Sequence, residues 1–587
     1  MTLFVIVVFS VLVLRLWFLQ IVHGPGYRTQ SENNRIQLQD TPAFRGMIFD
    51  RNGDLLVDNR PSYDLYIVPE QMQDQKGLLK SLEVLTAINP EQVQTKLKKA
   101  IRKHPFKPIL VQKNLSRDEL AVLETHLFNL PGIMIQVKPQ RHYVYGKLAP
   151  HLIGYLGEIS ERQLNSGRYP DNKPGDLIGK YGVEGKWDKF LNGLRGGEQV
   201  EVDAAGRKLR VISRKPPIPG YNLSLTIDKN LQVGAEKVLR DKKGAIVAMN
   251  PNNGEILALA SGPTYDPNLF VEGIDEAEWK NIVSSKDSPL QNRAISGQYP
   301  PGSVFKIVVA LGGLEERVID PQEEIFCDGT YTLGNRTYRC WKERGHGKIS
   351  FHRAMVESCD IYFYRMGTRL GVDRIARYAK KLGLGKKTGF TLDYEEEGLV
   401  PTRKWKLKRW GTQWEAGETL SLAIGQTFLL VTPLQMVSLI SAIFNGGRLY
   451  QPNVIQWVGK DERKFYQFKP TLMNQFKAKK EHMDLIKGAL IGAVNELRGT
   501  GTKATVKGLH VAGKTGTAQV INLEIEENFG EESNIPHKFR DHAWFVAIAP
   551  AERPRLALAI LIEHGGHGGS AAAPVAKDMF EAYFGKR

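Results

Sequence analysis

Serine followed three residues later by lysine can carry nucleophilic chemistry. The chain holds that pair once, in Pro300-Pro301-Gly302-Ser303-Val304-Phe305-Lys306. A serine hydroxyl is a weak nucleophile until a base within hydrogen-bond reach takes its proton. A lysine held neutral by burial or by a neighbouring cation can be that base. Two prolines and a glycine precede an apolar run, which sets Ser303 at a helix start with Lys306 on the same face. Alone, the pattern is weak, and a capping serine before a surface lysine is its usual explanation. Two later segments stand beside it: Ser358-Cys359-Asp360 and Lys514-Thr515-Gly516-Thr517. A competing Lys387-Thr388-Gly389 follows Gly383 and Gly385 in a turn, before what reads as one short strand. Lys514 is preferred because it opens the strand-like Thr515–Val520.

Metal chemistry is the second candidate. Cys327, Cys340 and Cys359 are the three cysteines of the chain, and His346 falls between the last two, as C-x12-C-x5-H-x12-C. Three sulfurs and one imidazole make a closed tetrahedral set suited to structural Zn²⁺. Spacing alone leaves a disulfide with one buried thiol, or three unrelated thiols, equally open. His564 and His567, in Glu563-His564-Gly565-Gly566-His567-Gly568-Gly569, read instead as a loop edging a sheet.

The elements that must position these residues are legible from periodicity. Before residue 220, Asn52-Gly53 after Met47-Ile48-Phe49 signals a hairpin turn. Leu78, Leu79, Leu82 and Leu85, then Val93–Ile101, have helical spacing. Gly182-Val183-Glu184-Gly185 and Glu201–Arg207 read as turns, and Ser213–Gly220 as a Pro/Gly linker. From 221 on, Tyr221–Ile227, Ala245–Met249 and Ile256–Ala260 read as strands and Leu231–Leu239 as a helix. Trp544–Ala549 and Leu556–Ile562 are strands at the far end. Ser303–Glu315, His352–Leu370 and Pro433–Asn445 are helical segments between them. Strands at both ends of a helical middle predict an α+β domain over 221–587, its sheet closed by both termini.

The 587 residues suffice for several domains, and 42% hydrophobic with 24% charged residues excludes a mostly disordered or fibrous chain. Three cysteines exclude a disulfide-stapled scaffold. The net charge, 80 − 63 = +17, suits a polyanion or an anionic surface, and no nucleic-acid motif accompanies it. In Leu3–Val22, seventeen of twenty residues are apolar, the exceptions being Ser10, Arg15 and Gln20. That length matches a bilayer's hydrocarbon core, and no small-residue cleavage site follows, so residues 1–23 read as an uncleaved transmembrane anchor. The basic flank expected on its cytoplasmic side is missing, as truncation at Met1 would produce. No second such run occurs, which places the rest of the chain on one side of the membrane.

S-x-x-K, S-D-N and K-T-G in this order are the signature of penicillin-binding proteins and class A β-lactamases. Here the middle motif ends in Asp360. The chain resembles the class B penicillin-binding proteins, and among them the elongation type. The likeness runs nearly end to end, through Arg45-Gly46, Asp50-Arg51-Asn52-Gly53, Gly182-Val183-Glu184, Tyr265-Asp266-Pro267-Asn268, Gly425-Gln426-Thr427, Thr432-Pro433 and Arg540-Asp541-His542. It implies a single N-terminal transmembrane helix (1–23), an elongated mostly-β pedestal of the dimerisation type (24–220) and a penicilloyl-serine transpeptidase domain (221–587) with a central antiparallel sheet. The resemblance implies Ser303 as the acylated nucleophile, Lys306 as general base, Ser358 as proton relay and Lys514 as the positive charge for the substrate carboxylate. Thr515 and Thr517 would bind that carboxylate, with Asp360 and Gly516 in the same substrate-binding set. The backbone N–H groups of Ser303 and Thr517 would form the oxyanion hole.

The reaction implied is D-Ala-D-Ala transpeptidation of peptidoglycan stem peptides during side-wall elongation, or carboxypeptidation with water as acceptor, inhibited by β-lactams. A β-lactam-hydrolysing or sensing protein and a non-catalytic wall-synthesis scaffold are the alternatives. The resemblance further implies one structural zinc on Cys327, Cys340, His346 and Cys359, although some relatives have Asp where this chain has Cys327 and Cys340. Implied partners are a polytopic lipid II glycosyltransferase, for which Arg15 is a plausible contact, and a rod-shape scaffold protein. The implied location is the bacterial inner membrane, with the catalytic domain periplasmic.

Overall fold

The computed structural model describes residues 1–27, 36–72, 74–86, 88–101, 108–202, 208–460, 463–520 and 535–585. The first helix, Thr2–Trp17, continues as a wider turn through Val22, and an 18-residue window of this stretch has a mean hydropathy of 2.6 with no buried position. It is long and apolar enough to cross a membrane. Arg15 lies 5.6 Å over the ring of Phe18.

The contacts divide the chain into two compact units, and these interleave. One holds Met1–Met47, Val57–His142 and Lys189–Asn222; the other holds Ile48–Leu56, Tyr143–Asp188 and Leu223–Arg587. The contiguous 24–220 segment read from the sequence therefore lends two of its stretches to the second unit.

In the first unit, Ile36–Thr41, Gly196–Val202 and Lys208–Lys215 form an antiparallel sheet. Ser213–Lys215 thus belong to a strand paired with Gly197–Gln199, and the linker expected from Ser213 is shorter. Its ladder uses backbone groups alone, so side-chain composition gave no warning of it. The turn expected at Glu201–Arg207 lies from Asp203 onward outside the described residues. Leu55–Ile67 pairs with Ile109–Gln112 and Ile133–Tyr143. Helices Gln75–Leu85, Pro90–Ile101 and Arg117–His126 cover this sheet, burying Leu78, Leu79, Leu82, Val93, Leu97 and Leu123 against Leu65, Ile67 and Val111. Asp74 caps the first helix, and Ser116 with Glu119 forms a capping box on the third.

The second unit is built on five antiparallel strands. They are β1 (Gly244–Met249), β2 (Ile256–Gly262), β3 (Ala512–Ala518), β4 (His542–Ala549) and β5 (Leu556–Ile562), in the order β2-β1-β5-β4-β3. Both ends of the unit contribute strands, as the sequence pattern predicts. Alternate residues, including Ile246, Ala248, Phe545, Ala547, Leu558 and Ile560, pack on helices Lys229–Leu239 and Ala573–Phe584. Their neighbours point the other way, and helix Pro433–Phe444 packs across β1, β4 and β5. Burial on both faces explains why these strands are continuous apolar runs rather than alternating ones. In the same unit, Asn52-Gly53 makes the expected tight turn, with Asp50 N–H donating to the Asp54 carbonyl at 2.8 Å. Gly182–Lys186, expected as a turn, is instead a short helix with Val183 and Glu184 buried.

Candidate active site

Gly302–Phe305 is a 3₁₀ turn leading into helix α1 (Lys306–Glu315). Gly302 has φ +54°, and a Cβ there would lie 2.4 Å from the carbonyl oxygen of Thr517. Only glycine lets the Ser303 turn approach the β3 backbone this closely. The turn is tied on its other sides by Gly302 N–H to the Gly425 carbonyl (3.0 Å) and Trp544 Nε1 to the Pro300 carbonyl (3.0 Å). Ser303 is half-buried, whereas Lys306, one helical turn on, has no exposed surface.

The single helix expected over His352–Leu370 is broken. α2 (Phe351–Val356) ends, and α3 (Asp360–Leu370) begins after Ser358, whose φ is +56°. A non-glycine residue in this region stores about 1–3 kcal/mol of strain, which its surroundings must offset. They do so through its carbonyl, which accepts from Lys306 Nζ at 2.8 Å and Trp341 Nε1 at 3.1 Å. The break turns the Ser358 hydroxyl towards two lysines. Lys306 Nζ donates to Ser358 Oγ at 3.2 Å and Lys514 Nζ donates to it at 2.8 Å. With both lone pairs so occupied, the hydroxyl's own proton is available to a third group.

Lys306 also forms a buried ion pair with Asp360, Nζ to Oδ1 2.7 Å. The second carboxylate oxygen of Asp360 accepts from the Trp341 backbone N–H at 2.9 Å. A carboxylate serves both donors at once; an amide has one oxygen, so asparagine in the same pose could serve only one. This is a structural reason for aspartate at the end of the middle motif. Lys514 is fully buried in β3. Burial, and then the nearby charge of Lys306, hold its ammonium well below the usual lysine range, with Asp360 opposing. The two lysines therefore differ in their surroundings: Lys306 pairs with a carboxylate, and Lys514 is buried beside a second cation.

β3 is an edge of the sheet, pairing Thr517 with Ala543 on one side only. Its other side adjoins the Ser303 turn, where Gly516 packs against Pro301 and Val304. Lys514 is the third residue of that strand, which begins three residues and ends two residues before the predicted Thr515–Val520. Thr515 Oγ1 shares a hydrogen bond with Thr500 Oγ1 (2.8 Å), and Gln426 Nε2 donates to the Thr517 carbonyl (3.0 Å). The rival Lys387-Thr388-Gly389 has no strand after it; the Glu395 carboxylate accepts from Thr388 N and Oγ1, fixing it as a loop. Ser303, Lys306, Ser358, Asp360 and Lys514–Thr517 thus converge. Trp341 and Thr500 belong to the same network and carry no sequence signal.

Cys327, Cys340, His346 and Cys359 also converge, their ligand atoms within 4.8 Å of one another and all four residues buried. No disulfide joins the three cysteines. His346 Nδ1 lies 3.5 Å from Cys327 Sγ and 3.6 Å from Cys340 Sγ. Hydrogen bonding with Cys359 lowers the Cys340 and Cys327 thiols, and the same bonds raise Cys359 itself. His564 lies beside the sheet as expected, Nδ1 to the Arg540 carbonyl at 3.0 Å and its ring 4.8 Å from that of His542.

Residues 244–581 match the family described as penicillin binding protein transpeptidase domain, and residues 40–225 match the penicillin-binding protein dimerisation domain. Peptidoglycan D,D-transpeptidase MrdA of Haemophilus influenzae is 34% identical over 586 residues, 98% of this chain and 90% of that protein. The fold is similar to that of PBP2 in its complex with MreC from Helicobacter pylori, at a TM-score of 0.80 and 30% identity, covering 94% of this chain and 99% of that one. A chain from a peptidoglycan synthase complex that coordinates polymerization and crosslinking aligns at a TM-score of 0.75 and 29% identity, covering 100% and 98%.

Proposed function

This chain belongs to the penicillin-binding protein transpeptidase family and is a peptidoglycan D,D-transpeptidase; on that premise we propose that Ser303 is its acylated nucleophile. Ser303 Oγ attacks the carbonyl carbon of the penultimate D-alanine of a stem peptide. Its proton passes into the Lys306–Ser358–Lys514 network as the tetrahedral intermediate forms. The backbone N–H groups of Ser303 and Thr517 would stabilise the oxyanion. The C–N bond to the terminal D-alanine then breaks, and Ser358 supplies the proton its amine needs. An amine of a neighbouring stem peptide attacks the ester, forms the cross-link and returns the proton to Ser303 Oγ. Water in place of that amine makes the same site a carboxypeptidase. Lys514, Thr515 and Thr517 would hold the terminal carboxylate, with Gly516 keeping the strand close to the turn.

One observation carries this reading: two buried lysines on different elements donate to the same Ser358 oxygen, beside the turn that presents Ser303. Intact-mass analysis with a fluorescent penicillin tests it. One stable adduct on the Ser303 peptide is expected, with release slower than a cell generation. Rapid hydrolysis of the drug would instead favour a β-lactamase.

The apolar N-terminal helix supports a single-pass anchor in the bacterial inner membrane, with the catalytic unit outside. Elongation of the side wall is the corresponding cellular process. The partners proposed are a polytopic glycan polymerase meeting the anchor and a rod-shape scaffold of the MreC kind meeting the first unit.

The cofactor proposed is one structural Zn²⁺ on Cys327, Cys340, His346 and Cys359. Support comes from the donor set itself, four buried nitrogen and sulfur ligands with an imidazole nitrogen close to two of the sulfurs. When bound, the ion would supply a cross-link between the loop before Trp341 and the residues flanking Ser358, and no part of the acyl transfer. Cys340→Ser is expected to lower thermal stability and slow acylation of Ser303 while the first unit stays folded. Metal analysis of the wild type should return about one zinc per chain. A wild type without zinc, joined by a Cys327–Cys340 or Cys340–Cys359 disulfide, would dispose of the metal.

A further inference from the structure

Helix Arg403–Trp410, sequence RKWKLKRW, carries five cations and no acid. Two are held. Lys406 is buried in a short ion pair with Glu418, and Arg403 reaches Asp373 at 3.7 Å. Lys404, Lys408 and Arg409 are exposed and have no hydrogen-bond or ion-pair partner among the described residues. Beside them, Leu407 is 55% and Trp410 49% exposed.

The aromatic side chains pack on one another. Trp405 and Trp410 meet edge to face at 5.0 Å, and both pack on Phe428, at 5.5 and 4.6 Å, with Trp414 at 6.2 Å. Thr402 caps the helix through the Trp405 N–H, and Trp414 Nε1 donates to Thr419 Oγ1 at 2.8 Å. Phe428 in turn follows a loop pressed onto the catalytic turn. Gly425 has φ +76°, and a Cβ there would lie 2.1 Å from the Gly302 carbonyl oxygen. Gln426 touches Thr517, and Thr427 has φ +68°. Strain of this kind is held in place only by firm surroundings. The indoles are therefore connected to the Ser303 turn and to β3 through four consecutive residues.

We infer that this basic, tryptophan-faced helix is a docking surface for an acidic glycopeptide strand, the polymer whose stem peptides react at Ser303. The inference rests on the transpeptidase reading of that site. Indole faces stack on the C–H faces of pyranose rings. Unpaired lysine and arginine heads match the carboxylates that stem peptides carry along the glycan. Charge complementarity and continuity with the catalytic turn favour this occupant over an anionic lipid surface, whose contact would have no reason to abut the nucleophile.

The test uses full-length protein in detergent and two variants. Lys408→Gln/Arg409→Gln leaves the indole packing untouched, and Trp410→Ala removes the exposed face. Binding of uncross-linked pentapeptide glycan strands should weaken about tenfold or more in each, and KM for strand cross-linking should rise. Acylation of Ser303 by fluorescent penicillin, the control for an intact turn, should stay within about twofold in the charge variant. Unchanged strand affinity in that acylation-competent variant would overturn the inference. So would a loss confined to phosphatidylglycerol vesicles, which would make the helix a membrane contact. Wild-type protein that binds strands through this helix but never cross-links them would support the docking surface and count against the transpeptidase reading.

Discussion

Ser303→Ala is expected to abolish covalent labelling by penicillin and to leave the melting temperature unchanged. Alanine fits the 3₁₀ turn as well as serine does, and Ser303 is not part of the buried core. Surface-type changes of this sort stay within about ±0.5 kcal/mol. Removing the nucleophile of a covalent mechanism, by contrast, costs on the order of 10⁴–10⁶ in turnover. Non-covalent binding of the drug should survive, because Lys514, Thr515 and Thr517 stay in place. A gel-fluorescence assay beside a thermal melt checks both halves. Residual labelling at wild-type rate would mean that another residue is acylated.

Lys306→Ala has a different expected signature, in which both activity and stability fall. The side chain makes three buried contacts, to Asp360 Oδ1, the Ser358 carbonyl and Ser358 Oγ. Its loss leaves the Asp360 carboxylate buried with, among the described residues, only the Trp341 N–H as hydrogen-bond partner. Breaking one side of a buried ion pair costs about 3–5 kcal/mol. It also removes one of the two hydrogen bonds to the Ser358 carbonyl that hold this residue at φ +56°, leaving that from Trp341 Nε1. Arginine should not rescue, since its larger planar guanidinium does not fit the fully buried place of the lysine head. Thermal melts should therefore fall by several degrees while acylation drops about 10³-fold or more. A variant as stable as the wild type would show that the Lys306–Asp360 pair is energetically idle.

The contrast between these variants follows from how the site is assembled, and that assembly was only partly legible in the sequence. The strands and helices that scaffold it were readable, because β1, β2, β4 and β5 are unbroken apolar runs and α1 follows two prolines and a glycine. The three motifs were likewise readable as residue types. The break at Ser358 was not. Helical periodicity continues through Glu357-Ser358-Cys359, and the left-handed backbone there is held by Lys306 and Trp341 from elsewhere in the chain. Trp341 escaped notice for the same reason, since its part is played by a backbone N–H and an indole N–H that no spacing rule marks. The RKWKLKRW run matches no motif, and its tie to the active site depends on Phe428 and the loop before it, which no spacing reveals. The interleaving of the two units was hidden because Ile48–Leu56 and Tyr143–Asp188 contain ordinary strand and turn patterns that do not name their partners.

The most direct test of the central claim is muropeptide mass spectrometry on uncross-linked pentapeptide glycan strands incubated with the full-length protein. Ser303 acyl transfer predicts dimers that have lost one D-alanine per cross-link, absent with Ser303→Ala and absent after pretreatment with penicillin. Dimers formed equally by Ser303→Ala, or strands left unchanged by a wild type that stably binds penicillin, would contradict it.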